Sequence, residues 1–502
     1  MTVLLLVGCG QKWAPDPLHP NSAPAVVLEA QLAADVVTID GVLDGIPQDI
    51  DIDRGPDDRY GFRYKVVDAN ADVLYERSTT GPSLVESFLA YYSQEAGVDL
   101  LAGIPTFGRF PLVVPLLPTA DHVLMEVRDE TGEWVQRGGW DYANLDAPRV
   151  VPEVVPVGTA VLHAASVPSS QALDVVVVGD GYTADQLDLF AASADKVAEQ
   201  VLTTEPFASH ADRITVTRVD VASNESGASF DCPTCGYVDN AFGSLFPVEL
   251  VNRITGGNYP NRPMFQAEQW KVAQAIEDVP WDAVVVLVNS QGNGAMAVHY
   301  ASVTEGAGDV GPTAVHELGH AFGMLGDEYV ADACVRAPGI PLPENITSHG
   351  DDPPWAGWVE PDTELPTPDG VPGQTVGAFL GAWNCPDLYR PKQECRMNDG
   401  HGAFCEVCTE LLERRLMRFG DPATDVRIDG RAVIVEGALP DTEVVVEVDG
   451  VEVSRSRPDR IPELPRDAGT VEVHVNRAPD TVRRDPTGDL RETWTFESRP
   501  WK

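Results

Sequence analysis

The run Val315-His316-Glu317-Leu318-Gly319-His320-Ala321-Phe322 constrains this chain more than any other feature. Two histidines four apart share one face of a helix, so both imidazoles can converge on a single metal ion. Glu317 stands beside His316 and can hold and deprotonate a water at such an ion. The flanks suit a helix: Pro312 fits a first helical position, and Gly323 fits a stop just past the last turn. With ten histidines among 502 residues, chance alone gives on the order of 0.02 HExxH matches. A pair of ordinary core histidines is therefore the weaker explanation.

A zinc protease needs a third protein ligand and one open coordination position. Asp327 follows in Gly323-Met-Leu-Gly-Asp327-Glu328-Tyr329, where a glycine break lets the chain leave the helix and swing a carboxylate back under the metal. Asp327 is the first choice as ligand. Glu328 is the neighbouring alternative, and a distant ligand is a third option.

The charge balance narrows the partners. Lys and Arg number 35 against 78 Asp and Glu, a net charge of −43. A surface of this sign repels phosphate, which argues against nucleic acids and anionic membranes as partners. Charged residues at 23% and hydrophobic ones at 43% exclude a wholly disordered chain. No stretch approaches the ~20 apolar residues of a membrane-spanning helix.

The length suits about three domains. Residues 1–24 read as a lipoprotein-like signal and tether. Leu6-Val7-Gly8-Cys9 resembles a bacterial lipobox with Cys9 as a lipid anchor, and Pro15, Pro17, Pro20 and Pro24 extend the chain beyond it. No Lys or Arg precedes the apolar run, which is also short; a start codon placed too far downstream accounts for both. Residues 25–147 alternate apolar and polar in short runs such as Phe62–Val67 and Val123–Arg128, the pattern of a β-sandwich. A Pro/Val stretch over 148–170 reads as a linker. Residues 171–418 alternate strands, such as Asp174–Val178, Ile214–Val221 and Ala283–Val288, with helices, which predicts a mixed or parallel sheet. Within them a Pro/Asp-rich insertion over 336–374 suits a rim or lid. Residues 419–502 return to alternation and predict a small second β-sandwich.

Cys232, Cys235, Cys334, Cys385, Cys395, Cys405 and Cys408 remain. Four-thiolate zinc sites use CxxC pairs within one compact module, but Cys232-Pro-Thr-Cys235 and Cys405-Glu-Val-Cys408 lie about 170 residues apart. Local disulfides stapling loops, with one odd thiol, is the preferred reading for an exported protein.

His316-Glu-Leu-Gly-His-Ala-Phe-Gly-Met-Leu-Gly-Asp-Glu-Tyr329 closely resembles the bacterial IgA-peptidase family of zinc metalloendopeptidases, whose pattern is HExGH, a few residues, then GLxDEY. Val178–Thr183, Val219–Ala228, and Leu388–Pro391 leading into Cys395-Arg-Met397 and Phe404–Cys408 match as well. The resemblance spans about 170–415. It implies a multidomain α/β protein with flanking β-sandwiches around a zincin-like catalytic domain, with a mixed sheet and the HExxH helix. It implies Zn²⁺ held by His316, His320 and Asp327, Glu317 as catalytic base, and Met397 as an apolar floor beneath the metal. Met324 departs from the family, which more often has glycine there; Gly323 is expected to supply the flexibility one residue earlier.

The expected activity is hydrolysis of peptide bonds in protein substrates by a zinc-activated water, with the protein exported or at the cell surface. Tyr329 and Tyr389 are candidates to stabilise the oxyanion. Asn289, Ser290 and Gly292 are candidates to bind substrate as an added strand. An idle surface-binding protein with a structural zinc is the alternative from another class, although it has no use for Glu317. A metal hydrolase of a non-peptide bond is a further one. Gly179-Asp-Gly-Tyr-Thr-Ala184 fits a dinucleotide pattern loosely but reads as a tight strand-to-helix turn capped by Asp180. Asp49, Asp51, Asp53, Asp57 and Asp58 miss the EF-hand spacing and read as a solvated turn. The sequons at Asn224 and Asn345 are of a kind common by chance.

Overall fold

The structure is a computed structural model that describes residues 22–33, 36–43, 49–51, 62–79, 109–129, 131–146, 152–230, 237–246, 264–266, 268–297, 299–330, 334, 341–417, 423, 425–429, 431–438, 442–465, 470–477, 479–483 and 490–497. The apolar run at 173–180 lies at its centre. Six strands form the central sheet: β1 (Gly158–His163), β2 (Leu173–Asp180), β3 (Ile214–Asp220), β4 (Ala283–Val288), β5 (Ala295–Ala297) and β6 (Ala301–Thr304). Their order is β5-β6-β4-β2-β3-β1. β2 runs parallel to β3 and β4, and β4 to β6; β1 and β5 are antiparallel strands at the two edges.

Every residue of β2 and β4 is buried, because both faces of the sheet are covered. Side chains alternate, so Val175 and Val177 enter one apolar core while Val176 and Val178 enter the other. Helices α1 (Leu187–Thr203) and α2 (Val310–Ala321) close the first face through Phe190, Ala194, Val197, Val315 and Leu318. They approach closely at Gly311, where a Cβ would stand 3.0 Å from the Lys196 carbonyl oxygen. A third helix, α3 (Glu406–Leu416), adds Leu411 and Leu412 to the same core.

The opposite face packs against two antiparallel sheets from the N-terminal region. One holds Ser22–Ala33, Val36–Leu43, Asp49–Asp51 and Arg109–Pro115; the other holds Phe62–Asp68, Val73–Thr79, Ala120–Arg128 and Trp134–Asp141. Phe62, Tyr64, Phe110 and Met125 share one continuous core with Trp270, Val176, Val178 and Val286. After α3, the hairpin Asp425–Asp429/Ala432–Glu436 and the sheet of Thr442–Val448, Val451–Ser456, Thr470–Arg477 and Arg491–Glu497 enclose a core of their own around Val433, Val444, Val446 and Val473.

Several local expectations change. The stretch 148–170, read as a linker, contributes β1 to the sheet. As a half-exposed edge strand, with Val161 62% accessible, it lacks the apolar run that marks a buried strand. Asp180 caps the strand-to-helix turn as expected, and it reaches well beyond it. It is fully buried and accepts hydrogen bonds from the backbone of Gly181 (2.9 Å), Phe242 (3.2 Å) and Ser244 (3.2 Å) and from Ser223 Oγ (3.2 Å), tying the turn to distant loops. Gly181 has φ +71°, and a Cβ there would meet the Gly227 carbonyl oxygen at 2.3 Å, so only glycine fits. The insertion is anchored: Trp355 Nε1 donates to the Gly377 carbonyl (2.7 Å), and Trp358 Nε1 donates to Glu410 on α3 (2.7 Å). Asp49 and Asp51 end up in a short strand; Asp53, Asp57 and Asp58 lie outside the described residues, as do Cys9, Cys232 and Cys235. No described helix is long and apolar enough to cross a membrane.

Candidate metal centre

His316, Glu317 and His320 lie on α2, which begins two residues before Pro312 rather than at it. Pro312 is tolerated there because first-turn N–H groups have no partner within the helix. One turn separates the two imidazoles, and their Nε2 atoms stand 3.2 Å apart. Asp327 returns beneath them: its Oδ1 is 3.2 Å from His316 Nε2 and 3.1 Å from His320 Nε2.

The other ring nitrogens explain this orientation. His316 Nδ1 donates to the Arg396 carbonyl at 2.9 Å, and His320 Nδ1 donates to the Leu325 carbonyl at 2.6 Å. A carbonyl only accepts, so each Nδ1 carries a proton and each Nε2 faces inward, where it can bind a metal ion in place of a second proton. Three lone-pair acceptors at 3.1–3.2 Å repel one another unless a proton or cation lies among them. Tetrahedral coordination with bonds of about 2.0–2.1 Å sets ligand atoms about 3.3–3.4 Å apart. The triad fits that donor geometry, and these three residues could hold a metal ion.

Protons report the same tension. Burial alone lowers the pKa of His320, but the Asp327 carboxylate overrides it and lifts the group to about 9. Burial would raise Asp327, yet the two imidazoles hold it well below the usual carboxylate range. Glu317, adjacent on the helix and 6% exposed, is pushed up by burial while both imidazoles oppose the shift.

The exit from α2 depends on tight packing. A Cβ on Gly319 would stand 2.8 Å from Met397 Sδ and 3.2 Å from Phe404 Cε1, so the glycine of HExGH admits Met397 against the helix between the two histidines. Gly323 does not supply the bend, contrary to expectation. The left-handed residue is Met324 itself, with φ +58°, and Gly323 is needed because a Cβ would meet Leu412 Cδ2 at 2.5 Å. Met324 thus adopts without glycine a conformation that costs roughly 1 kcal/mol or more.

Asp327 and Glu328 then part. Glu328 is fully buried on the other side, where its Oε1 is 3.0 Å from Cys408 Sγ. Asn345, whose sequon is of a kind common by chance, lies fully buried. It proves to be a buried clamp: Oδ1 accepts from Gly326 N (2.8 Å), and Nδ2 donates to Gly326 O (2.9 Å) and Glu328 Oε1 (3.1 Å). Nothing in the local sequence distinguishes such an asparagine from a surface one.

The ring of Tyr389 packs on Gly350, and the Tyr329 carbonyl accepts from Asn384 N. Asn289 Nδ2 donates to Gly181 O, Gln186 Oε1 and Ser226 Oγ, each at 3.0 Å, and Ser290 Oγ accepts from Gly292 N. Those residues brace the loops at the sheet's end; among the described residues β5 pairs with β6 alone and forms the edge of the sheet beside α2. The cysteine reading changes too: Cys334 and Cys385 form a disulfide, whereas Cys395, Cys405 and Cys408 are free, buried and clustered rather than paired locally.

No curated protein matches the chain. The profile of the family described as IgA Peptidase M64 matches residues 161–370, a segment that contains all of α2 and Asp327 and stops short of Cys395. The match agrees with the resemblance carried by the HExGH and DEY residues, and it makes the central part of this chain similar to the family of peptidases described as IgA Peptidase M64.

Proposed function

We propose that the protein is an exported zinc endopeptidase in which His316, His320 and Asp327 hold the metal and Glu317 is the general base. The observation that carries this reading is the convergence of two Nε2 atoms and one carboxylate oxygen within 3.1–3.2 Å, with Glu317 buried beside them. When bound, zinc supplies a Lewis acid that lowers the pKa of a coordinated water and polarises the scissile carbonyl. Glu317 takes the proton of the attacking water and returns it to the leaving amine. Its burial beside the two imidazoles keeps bulk water from competing for that proton. The Arg396 and Leu325 carbonyls fix both rings, so the reacting groups need little reorganisation. The outer edge of β5 offers backbone N–H and C=O groups to an extended substrate peptide.

Export is supported by the Cys334–Cys385 disulfide, which belongs in an oxidising compartment. A lipid anchor at Cys9 would hold the enzyme at the cell surface.

The test is metal content by mass spectrometry with a general protease assay, on wild type and His316→Ala. Zinc and cleavage lost together support the reading. Cleavage that survives loss of the metal overturns it. Zinc without cleavage of any protein favours the idle binding protein or a hydrolase of another bond.

A further inference from the structure

On the far side of the Asp327 loop, four side chains from three chain segments meet in a closed pocket. Glu328, Cys395, Cys405 and Cys408 are 0%, 1%, 3% and 0% exposed, and one potential donor atom from each lies within 4.8 Å of all the others. We propose that these four residues form a second metal site, structural rather than hydrolytic, for a thiophilic divalent ion such as zinc.

Geometry carries the argument. Cys395 Sγ and Cys408 Sγ are 3.8 Å apart, and Glu328 Oε1 is 3.0 Å from Cys408 Sγ and 4.0 Å from Cys405 Sγ. Tetrahedral zinc with bonds of about 2.3 Å to sulfur and 2.0 Å to oxygen separates two sulfurs by about 3.8 Å and a sulfur from an oxygen by about 3.5 Å. A disulfide requires about 2.0 Å, so the sulfurs are not bonded to one another.

Satisfaction of the polar groups points the same way. Glu328 Oε2 is buried with no hydrogen-bond partner among the described residues. The Arg390 guanidinium acts on Glu328 through space without bonding Oε2, and protonation at Oε2 would only replace an orphaned acceptor with an orphaned donor. The cysteine segments have the build of a thiolate knuckle. Cys405 N–H donates to Cys395 Sγ at 3.3 Å, and Cys405-Glu-Val-Cys408 opens α3, so the positive end of that helix faces the sulfurs. Three touching thiols would also be prone to oxidation in the compartment that formed Cys334–Cys385, and coordination protects them.

All four positions are supplied by protein, which leaves no opening for a substrate. The site instead braces the first one. Glu328 N–H donates to the Met397 carbonyl at 2.7 Å, and the adjacent Arg396 carbonyl holds His316 Nδ1. An ion here would lock the 326–328 loop to the 395–408 segment and so fix Asp327 against the histidines. Residues 395–408 lie beyond the segment matched by the family profile. The proposal stands independently of the zinc reading of the histidine site.

The experiment measures zinc stoichiometry and cobalt absorption in the full chain, for wild type, the double variant His316→Ala/His320→Ala, and Cys408→Ser. Two equivalents of zinc are expected in wild type, and one remains in the double histidine variant. After cobalt exchange, that variant keeps the near-ultraviolet thiolate-to-cobalt charge-transfer band, which a site of nitrogen and oxygen donors cannot give, and Cys408→Ser loses it. No zinc and no such band in a folded, metal-replete double histidine variant would overturn the proposal, as would a Cys395–Cys408 disulfide in wild type. Should Cys408→Ser fail to fold, the double histidine variant decides alone. Failure of the first site reads differently: zinc content would not fall when the histidines are removed.

Discussion

Asp327 and Glu328 are chain neighbours that serve opposite clusters. Asp327 Oδ1 lies 3.1 Å from His320 Nε2, and Glu328 Oε1 lies 3.0 Å from Cys408 Sγ. Consecutive side chains of an extended segment point to opposite sides. The loop that follows α2 therefore cannot shift one carboxylate without disturbing the other, and whatever secures the cysteine cluster also secures the histidine site.

Glu317→Gln keeps the shape of the side chain and removes the base. Cleavage of a protein substrate should fall by about two to four orders of magnitude, with metal content and thermal stability close to wild type. Metal content that falls with activity would assign Glu317 to holding the ion instead.

Gly319→Ala drives a methyl group toward Met397 Sδ and Phe404. Overpacking of this kind costs about 1–3 kcal/mol, and here it also tilts both histidines. Denaturant titration should show the loss, and Met397→Ala in the same chain should recover part of it, because the two sites touch. Strict additivity of the two substitutions would show that the clash is relieved elsewhere.

Asn345→Ala strands the N–H and C=O of Gly326 and removes a donor from Glu328. Breaking a buried hydrogen-bond network of this size should cost about 2–4 kcal/mol, with weakened metal retention by the histidine site. The same burial predicts that Asn345 stays unmodified in a glycosylating host, while the exposed Asn224 remains accessible. Peptide mapping checks both.

His299 gives stability a pH dependence. Burial lowers its pKa to about 4, the Arg77 guanidinium pushes the same way, and its Nδ1 has no partner among the described residues. The unfolded chain titrates near 6.5, so between about pH 4 and 6.5 it binds more protons than the folded one. His299's contribution therefore makes stability rise with pH across that window by at most about 1.4 kcal/mol per pH unit, then level off above it. As pH falls from about 6.5 to 4, the denaturation midpoint of wild type should drop relative to that of His299→Phe. Parallel curves would show that His299 titrates normally.

Much of this molecule was legible from residue order. The strands at 62–67, 123–128, 174–178, 214–220 and 283–288 lie where apolar runs or alternation put them, because burial on one or both faces leaves that imprint in sequence. β1 leaves no such imprint because an edge strand need not be apolar. Met324 could not be foreseen as the left-handed residue: a side chain at Gly323 is excluded both by the Gly319 carbonyl one turn back and by Leu412, far along the chain, and neither contact shows in the local sequence.

By itself the sequence determined the helix, the spacing that sets His316 and His320 on one face, and an acidic residue close enough to return. These are local matters, governed by a helical period and a short loop. Only the tertiary structure decided which acid turned to the histidines, that Asn345 is a clamp, and that Cys395, Cys405 and Cys408 share a pocket with Glu328. Such choices depend on contacts between segments tens to hundreds of residues apart, where close packing and the pairing of buried polar groups, rather than local propensity, select the arrangement.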